Sequence, residues 1–511
     1  MSDWSGGYVT DTLYTKGYYR PLNPLMMQLA LTRAGFVAPA VQNACEPGFG
    51  RGLSINAHAA ASTTAWYGND FIPAQTAFAQ TLARRAGSDI HLFEEDFDTF
   101  CARETLPGFD FIALHGIWSW VSQANRERLV AFVKQKLNTG GVLYISYNTT
   151  PGWAPVVPLR DILRAHSLRM SAPGLSTEAK SVRAIEFARQ MMAADPGYAR
   201  VNPGIAERLE KLGQQSGGYV AHEYLNRDWQ PMSFAEVAEA LSQAPLTFAC
   251  SAHLPDHFDA INLSPAHRQL LAEIEDETFR QTVRDFLINQ SFRRDYWVRG
   301  ARRLTDPARR DTWRAIRVVL TTPYARIPLT VCGSLGEATM SEAVYAPVLE
   351  ALSDYRPHSL GELERTLTHR VPPEQLEYAI VLLAGEGHLG PVQEAAAIEQ
   401  AGPVARRLNR ALLEEAQGDP EGGWLVSPVT GGAVIVPRFE QLFLLARHEG
   451  VACAPAELAA WAWRVLEAHR QRVVKDGAAL YAVSDNLAEL EAYARRFIAE
   501  RLPLIEALEM V

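Results

Sequence analysis

Cysteine is scarce in this chain and widely scattered. Cys45, Cys101, Cys250, Cys332 and Cys453 show neither a metal-ligand spacing nor the density of a disulfide framework, so a reducing compartment fits best and no metal is expected. Basic charge is not in excess either. Against 49 Lys and Arg stand 58 Asp and Glu, a formal net charge of −9, which argues against the clustered Lys/Arg surface that sequence-independent nucleic-acid binding needs. No apolar run approaches a membrane span, and residues 1–10 lack a basic region followed by an apolar one, so neither a spanning helix nor a secretory signal is expected. Together these absences lead us to expect a cytoplasmic protein without a nucleic-acid partner.

What is present is length and alternation. With 511 residues, the chain exceeds one core and should divide into two to four domains. Between residues 38 and 148, short apolar runs (41–45, 64–67, 90–93, 109–114 and 142–147) alternate with helical stretches such as 73–85 and 125–137. That rhythm is the signature of an α/β, Rossmann-like doubly wound sheet covered by helices, whose ligands sit at the carboxyl ends of the strands. A helical insertion then follows. After it come a helix at 233–242, an apolar run at 246–250 that could be a sixth strand, and a segment at 264–300 that reads as helical and ends in Phe292-Arg293-Arg294-Asp295-Tyr296-Trp297. Three short helices at 346–352, 359–367 and 373–386 followed by Gly387-His388-Leu389-Gly390 suggest a winged helix whose third helix lacks a basic cluster, which disfavours DNA binding there. The remainder is mostly helical. The expected organisation is a Rossmann-like domain at 1–155, a helical insertion at 156–220, a middle region at 221–330 that completes the sheet, a winged-helix-like domain at 331–395 and a helical C-terminal domain at 396–511.

The chemistry concentrates in Glu46-Pro47-Gly48-Phe49-Gly50-Arg51-Gly52, which lies between a strand and an alanine-rich helix. Glycines there let backbone approach a ligand, and the helix start offers free N–H groups. A dinucleotide fingerprint needs glycine where Leu53 stands, and a P-loop needs Gly-Lys followed by Ser or Thr where Gly50-Arg51-Gly52 stands. Both readings fail on residues. What remains, E-x-G-x-G-x-G, resembles the first motif of class I methyltransferases that use S-adenosylmethionine.

That resemblance implies roles for the other strand ends. Asp70, 24 residues after Glu46 and followed by Phe71, would accept hydrogen bonds from the ribose hydroxyls. Asp96 and Phe97 would hold the adenine, and His115-Gly116-Ile117-Trp118 would face the methionine moiety. The blocks Tyr18-Tyr19-Arg20, His115 to Val121, Ser146 to Trp153 and His222-Glu223-Tyr224-Leu225 narrow the likeness. They resemble bacterial methyltransferases with a methyltransferase regulatory domain, a group that includes lysine methyltransferases acting on outer-membrane proteins. The implied cofactor residues are Tyr19, Glu46, Gly48, Gly50, Gly52, Asp70, Phe71, Asp96, Phe97 and His115.

A lysine acceptor must arrive neutral, which an apolar aromatic pocket promotes, and aromatic faces also attract cations. Trp118, Tyr147, Trp153 and Tyr224 are the candidate walls, Asn148 a hydrogen-bonding group at the acceptor, and His115 a proton acceptor or a cofactor contact. Arg293, Arg294 and Arg299 read as a charged face or as a contact for an acidic substrate flank. The expected partner is a protein substrate, with dimerisation through the insertion one open role. A small-molecule acceptor and a non-catalytic, cofactor-binding regulatory role stay open as alternatives.

Overall fold

Five parallel strands form the frame on which everything else is placed. In the computed structural model, which describes residues 5–12, 14, 16–172, 174–419 and 422–511, they are β1 (Asn43–Pro47), β2 (Ala65–Asp70), β3 (Ile90–Glu94), β4 (Phe109–Leu114) and β5 (Leu137–Asn148). Two further strands, β6 (Leu246–Ser251) and β7 (Phe292–Arg299), complete a seven-stranded sheet in the order β3-β2-β1-β4-β5-β7-β6. β7 runs antiparallel to both β5 and β6. The strand order reverses direction between β1 and β4, and an α/β sheet opens its ligand crevice at such a switch point.

The sequence expectation of a helix through 264–300 is corrected here. Its last part, from Phe292, is β7, sandwiched between β5 and β6. Alternation explains both the misreading and the fold: Tyr296 and Val298 pack into one core, whereas Trp297 packs into the core on the other side of the sheet with Phe234 and Leu143. Arg293 is likewise no surface charge. It is 5% exposed, its Nη1 lies 2.6 Å from Asp285 Oδ1, its Nε lies 3.0 Å from Asp295 Oδ2, and its guanidinium stacks over Phe234. Tyr147 Oη donates to the same Asp295 at 2.9 Å.

The remaining layers close over the sheet. Helix α1 (Pro24–Arg33) packs beside β6, with Met27, Leu29 and Leu31 fully buried. The helix α2 (Leu53–Ala61) is buried nearly all round because the helix Ala395–Glu415 and the hairpin Trp424–Ser427/Gly432–Ile435 cover its outer side. Between them lie the helices Glu342–Ala351, Leu360–Leu367 and Pro373–Glu386 with an antiparallel three-stranded sheet, the parts of a winged helix. The insertion builds its own small core from Leu159, Leu163, Ile185, Ile205, Leu209 and Leu212. Among the described residues no helix is long and apolar enough to cross a membrane.

Removing one partner of a buried ion cluster leaves an uncompensated charge. Arg293→Met is therefore expected to destabilise the protein by about 3 to 5 kcal/mol, seen as a lowered urea midpoint; an unchanged midpoint would show the network to be dispensable.

Candidate functional site

The glycine loop is built by the end of β1 meeting the end of β2. Parallel register sets Glu46 beside Gly68, where a Cβ on residue 68 would sit 2.6 Å from the Glu46 carbonyl oxygen. Gly48 and Phe49 then donate to the Asn69 carbonyl at 2.8 and 3.2 Å. Gly48, Gly50 and Gly52 all have positive φ (72°, 59° and 67°), which other residues adopt at a cost. Gly48 and Gly52 are also closed to a side chain by Ile117 and Ala79. Asp70 locks the turn from outside, accepting from Gly50 N and Ile72 N, each at 2.9 Å. Asp96, at the start of the helix Phe97–Cys101, accepts from Thr99 N at 2.8 Å.

These strand ends floor a cavity of about 440 Å³, whose lining includes Tyr19, Glu46, Gly48, Gly50, Gly52, Asp70, Phe71, Asp96, Phe97 and His115. Every residue that the resemblance implied for the cofactor is thus brought to one place. The roof comes from afar. Residues 5–12, 14 and 16–19 belong to a strap held by the helix Gly217–Tyr224 and the turn after it: Val9 N donates to Asn226 Oδ1 at 2.8 Å, Arg227 N to the Gly7 carbonyl at 3.0 Å, His222 Nε2 to the Thr12 carbonyl at 2.8 Å, and Tyr14 Oη to Glu223 Oε1 at 2.9 Å. Tyr8, Tyr14, His222 and Glu223 thereby line the cavity as well.

Electrostatically the cavity is acidic, with Glu46, Asp70, Asp96 and Glu223 in its lining. Glu46 is 3% exposed, its Oε2 has no hydrogen-bond partner, and burial pushes its carboxyl up to about 8. Asp70 is raised by burial to about 7 despite its two backbone donors, and Glu223, buried against Tyr14, is raised to about 7. Such a site favours a cationic ligand, which would return these carboxyls to their ionised form. His115 is the opposite case. Its Nδ1 lies 3.0 Å from Tyr144 Oη and its ring 3.7 Å from that of Tyr19, and burial with the nearby Arg294 lowers it to about 3. An imidazole so weakly basic is a poor proton acceptor at neutral pH, so of its two expected roles the contact role fits the geometry.

Most of the expected acceptor residues lie elsewhere. On β5 the side chains alternate: Tyr144 and Ser146 bond His115 and Gly116 N, whereas Tyr147 faces the other side of the sheet and bonds Asp295. Asn148 points its backbone at Ser119 Oγ and Met232 N and is 3% exposed, outside the cavity lining. Trp118 is fully buried beneath β4 and β5. Trp153 and Tyr224 pack on each other at 5.8 Å and, with Trp229, hold the insertion core. Tyr8, Tyr14 and Glu223 were missed; the available signals were four tyrosines within residues 8–19 and an acid beside Tyr224 in an otherwise apolar block.

A carboxylate raised in the folded state favours the protonated fold, so its stability contribution falls as pH rises from its unfolded pKa toward its folded one. For Glu46 that window runs from about 4.5 to about 8. Glu46→Gln should therefore match the parent protein in urea unfolding near pH 4.5 and exceed it near pH 8 by roughly 2 to 4 kcal/mol; equal stabilities at both pH values would contradict the buried, unpaired carboxylate.

Three comparisons with known proteins bear on this geometry. A family model described as a predicted methyltransferase regulatory domain matches residues 216–299, the stretch that supplies the helix Gly217–Tyr224, β6 and β7. A Synechocystis protein, uncharacterized protein sll1526, is 37% identical over 511 residues, spanning 99% of both chains. Uncharacterized protein RP789 of Rickettsia prowazekii is 27% identical over 284 residues, 54% of this chain and 49% of that one. Among solved structures, PKMT2 from Rickettsia typhi in complex with AdoHcy superposes with a TM-score of 0.69 at 15% identity, covering 97% of this chain and 99% of that one. The fold is that of PKMT2 over 97% of this chain. This chain belongs to one family with the Synechocystis protein, shares the fold of PKMT2 and matches the methyltransferase regulatory domain over residues 216–299.

Proposed function

We propose that this protein is an S-adenosylmethionine-dependent N-methyltransferase and that its acceptor is a lysine side chain of a protein substrate. The observation that carries the cofactor reading is the buried acid Glu46, its Oε2 unpartnered, beside a glycine loop whose positive-φ turns leave no room for side chains at Gly48 and Gly52. A ligand with a sulfonium and an α-ammonium matches that charge. Asp70 would accept from a ribose diol, a geometry suited to a carboxylate with two acceptor oxygens. Asp96 with Phe97 would hold the adenine. When bound, S-adenosylmethionine would supply a methyl group on a sulfonium sulfur, its carbon open to in-line displacement with a thioether as leaving group. The chain's contribution is then position and exclusion of water, by Tyr8, Tyr14 and Tyr19 of the strap on one side and Ile117 and Trp120 on the other.

The lysine reading is supported by the sequence blocks that resemble bacterial lysine methyltransferases and by the likeness in fold to PKMT2. The tyrosine-rich roof, Tyr8, Tyr14 and Tyr19, is consistent with a cationic acceptor.

Two measurements test the proposal. Calorimetry should show saturable binding of S-adenosylhomocysteine, with Asp70→Ala weaker by about 1 to 3 kcal/mol from lost charge-assisted hydrogen bonds; absence of binding to the parent protein removes the cofactor reading. Incubation with methyl-labelled S-adenosylmethionine and a bacterial membrane-protein extract should place label on lysine-containing peptides. Label confined to small molecules would overturn the lysine assignment while leaving the cofactor.

A further inference from the structure

Of the three buried carboxylates lining the cavity, the cofactor reading leaves one without a task. Glu223 sits in the helix Gly217–Tyr224, opposite the strand ends that carry Glu46 and Asp70. It is buried, accepts a hydrogen bond from Tyr14 Oη at 2.9 Å, and forms no ion pair with another described residue. Tyrosines surround it. Tyr14 and Tyr8 both contact the ring of His222, at 5.1 and 5.6 Å between centroids, and Tyr8 reaches across to Phe71 at 5.8 Å. Tyr19 lies on His115 and stands between the two ends of the cavity, near enough to both Glu46 and Glu223 that the two acids, after burial itself, raise its phenol to about 12. His222, whose Nε2 is committed to the Thr12 carbonyl and whose imidazole burial keeps neutral, does not offset the charge of Glu223.

We infer that Glu223, with Tyr8, Tyr14 and Tyr19, is the subsite for the acceptor's cationic amine, and that its carboxylate takes the proton the ammonium must shed before its nitrogen can react. The inference rests on the reading of this cavity as a methyl-transfer site and adds to it the group that recognises the acceptor. An ammonium of lysine type enters between aromatic faces, which attract it without supplying a proton acceptor. The carboxylate supplies that acceptor. One N–H bond breaks, its electron pair stays on nitrogen, and an O–H bond forms on Glu223, so that carboxylate and ammonium become carboxylic acid and neutral amine with charge conserved. Burial supports the direction of transfer, since it pushes the Glu223 carboxyl up to about 7 and penalises a charged amine in the same pocket. Tyr14 donates to the carboxylate and holds its orientation. The helix Gly217–Tyr224 and the strap it holds, and not the sheet, therefore decide what is methylated.

A pair of probes separates charge from shape: n-butylammonium, the lysine side chain's head and stem, and 1-butanol, its neutral counterpart. Titrated at pH 7 into the full-length protein, with and without saturating S-adenosylhomocysteine, n-butylammonium should bind at least about tenfold more tightly than 1-butanol, as expected for a hydrogen bond to a charged group. Glu223→Gln should abolish that preference while binding S-adenosylhomocysteine within about twofold of the parent, which also reports that the variant is folded. Tyr14→Phe should reduce the preference by about threefold, since the carboxylate remains but loses its orienting donor. Equal binding of the two probes by the parent, no binding of n-butylammonium, or an intact preference in Glu223→Gln overturns the inference. Failure of the parent to bind S-adenosylhomocysteine would instead sink the methyl-transfer reading, and the titration on ligand-free protein still decides whether Glu223 recognises an amine.

Discussion

Glu46, Asp70 and Glu223 place three buried carboxylates around one cavity, and none of them forms a salt bridge with another described residue. Taking a carboxylate out of water without a cation is costly, so the surrounding structure must hold them there against their own preference for solvent. It does so by two independent constructions. The strand ends of β1 and β2 pin Glu46 and Asp70 through parallel register and through the hydrogen bonds of the loop. The helix Gly217–Tyr224, roughly 170 residues away in sequence, brings Glu223 to the other side together with the strap that it holds. A site so arranged is poised for a ligand that is positively charged in more than one place.

The middle region is therefore part of the site and not an appendage. Its strands β6 and β7 finish the sheet, and its first helix roofs the cavity. The Arg293 cluster ties these roles together, because β7 carries Arg293 and Asp295, Asp285 comes from the preceding helix, and Tyr147 on β5 bonds the same Asp295. The C-terminal hairpin and the helix Ala395–Glu415 cover α2 directly behind the glycine loop. That packing explains why α2 is small, alanine-rich and buried on almost every side.

The half of the cavity built from strand ends was legible because its information is local. An acid, three glycines and a helix start within seven residues describe one turn, and Asp70 and Asp96 follow from where the next two strands stop. The aromatic half was not legible. Trp118, Tyr147, Trp153 and Tyr224 lie beside strand ends in sequence, but adjacent residues on a strand face opposite ways, so proximity along the chain does not say which of Ser146 and Tyr147 looks into the cavity. Tyr147 went to the buried ion cluster and Trp153 and Tyr224 to the insertion core. The helical reading of the segment that becomes β7 failed for a related reason: a strand with arginine, aspartate and tyrosine on its faces lacks a clean alternation until its buried charge partners are known.

By itself the sequence determined the sheet's parallel part, the loop that no residue but glycine can trace, and the acids that stand at its strand ends, since each depends on backbone conformation over a few residues. Only the tertiary structure decided which tyrosines meet which carboxylate. Tyr8, Tyr14 and Glu223 are brought together by hydrogen bonds between a strap and a helix some two hundred residues apart, and side chains joined by such long-range packing leave no periodicity in the sequence between them.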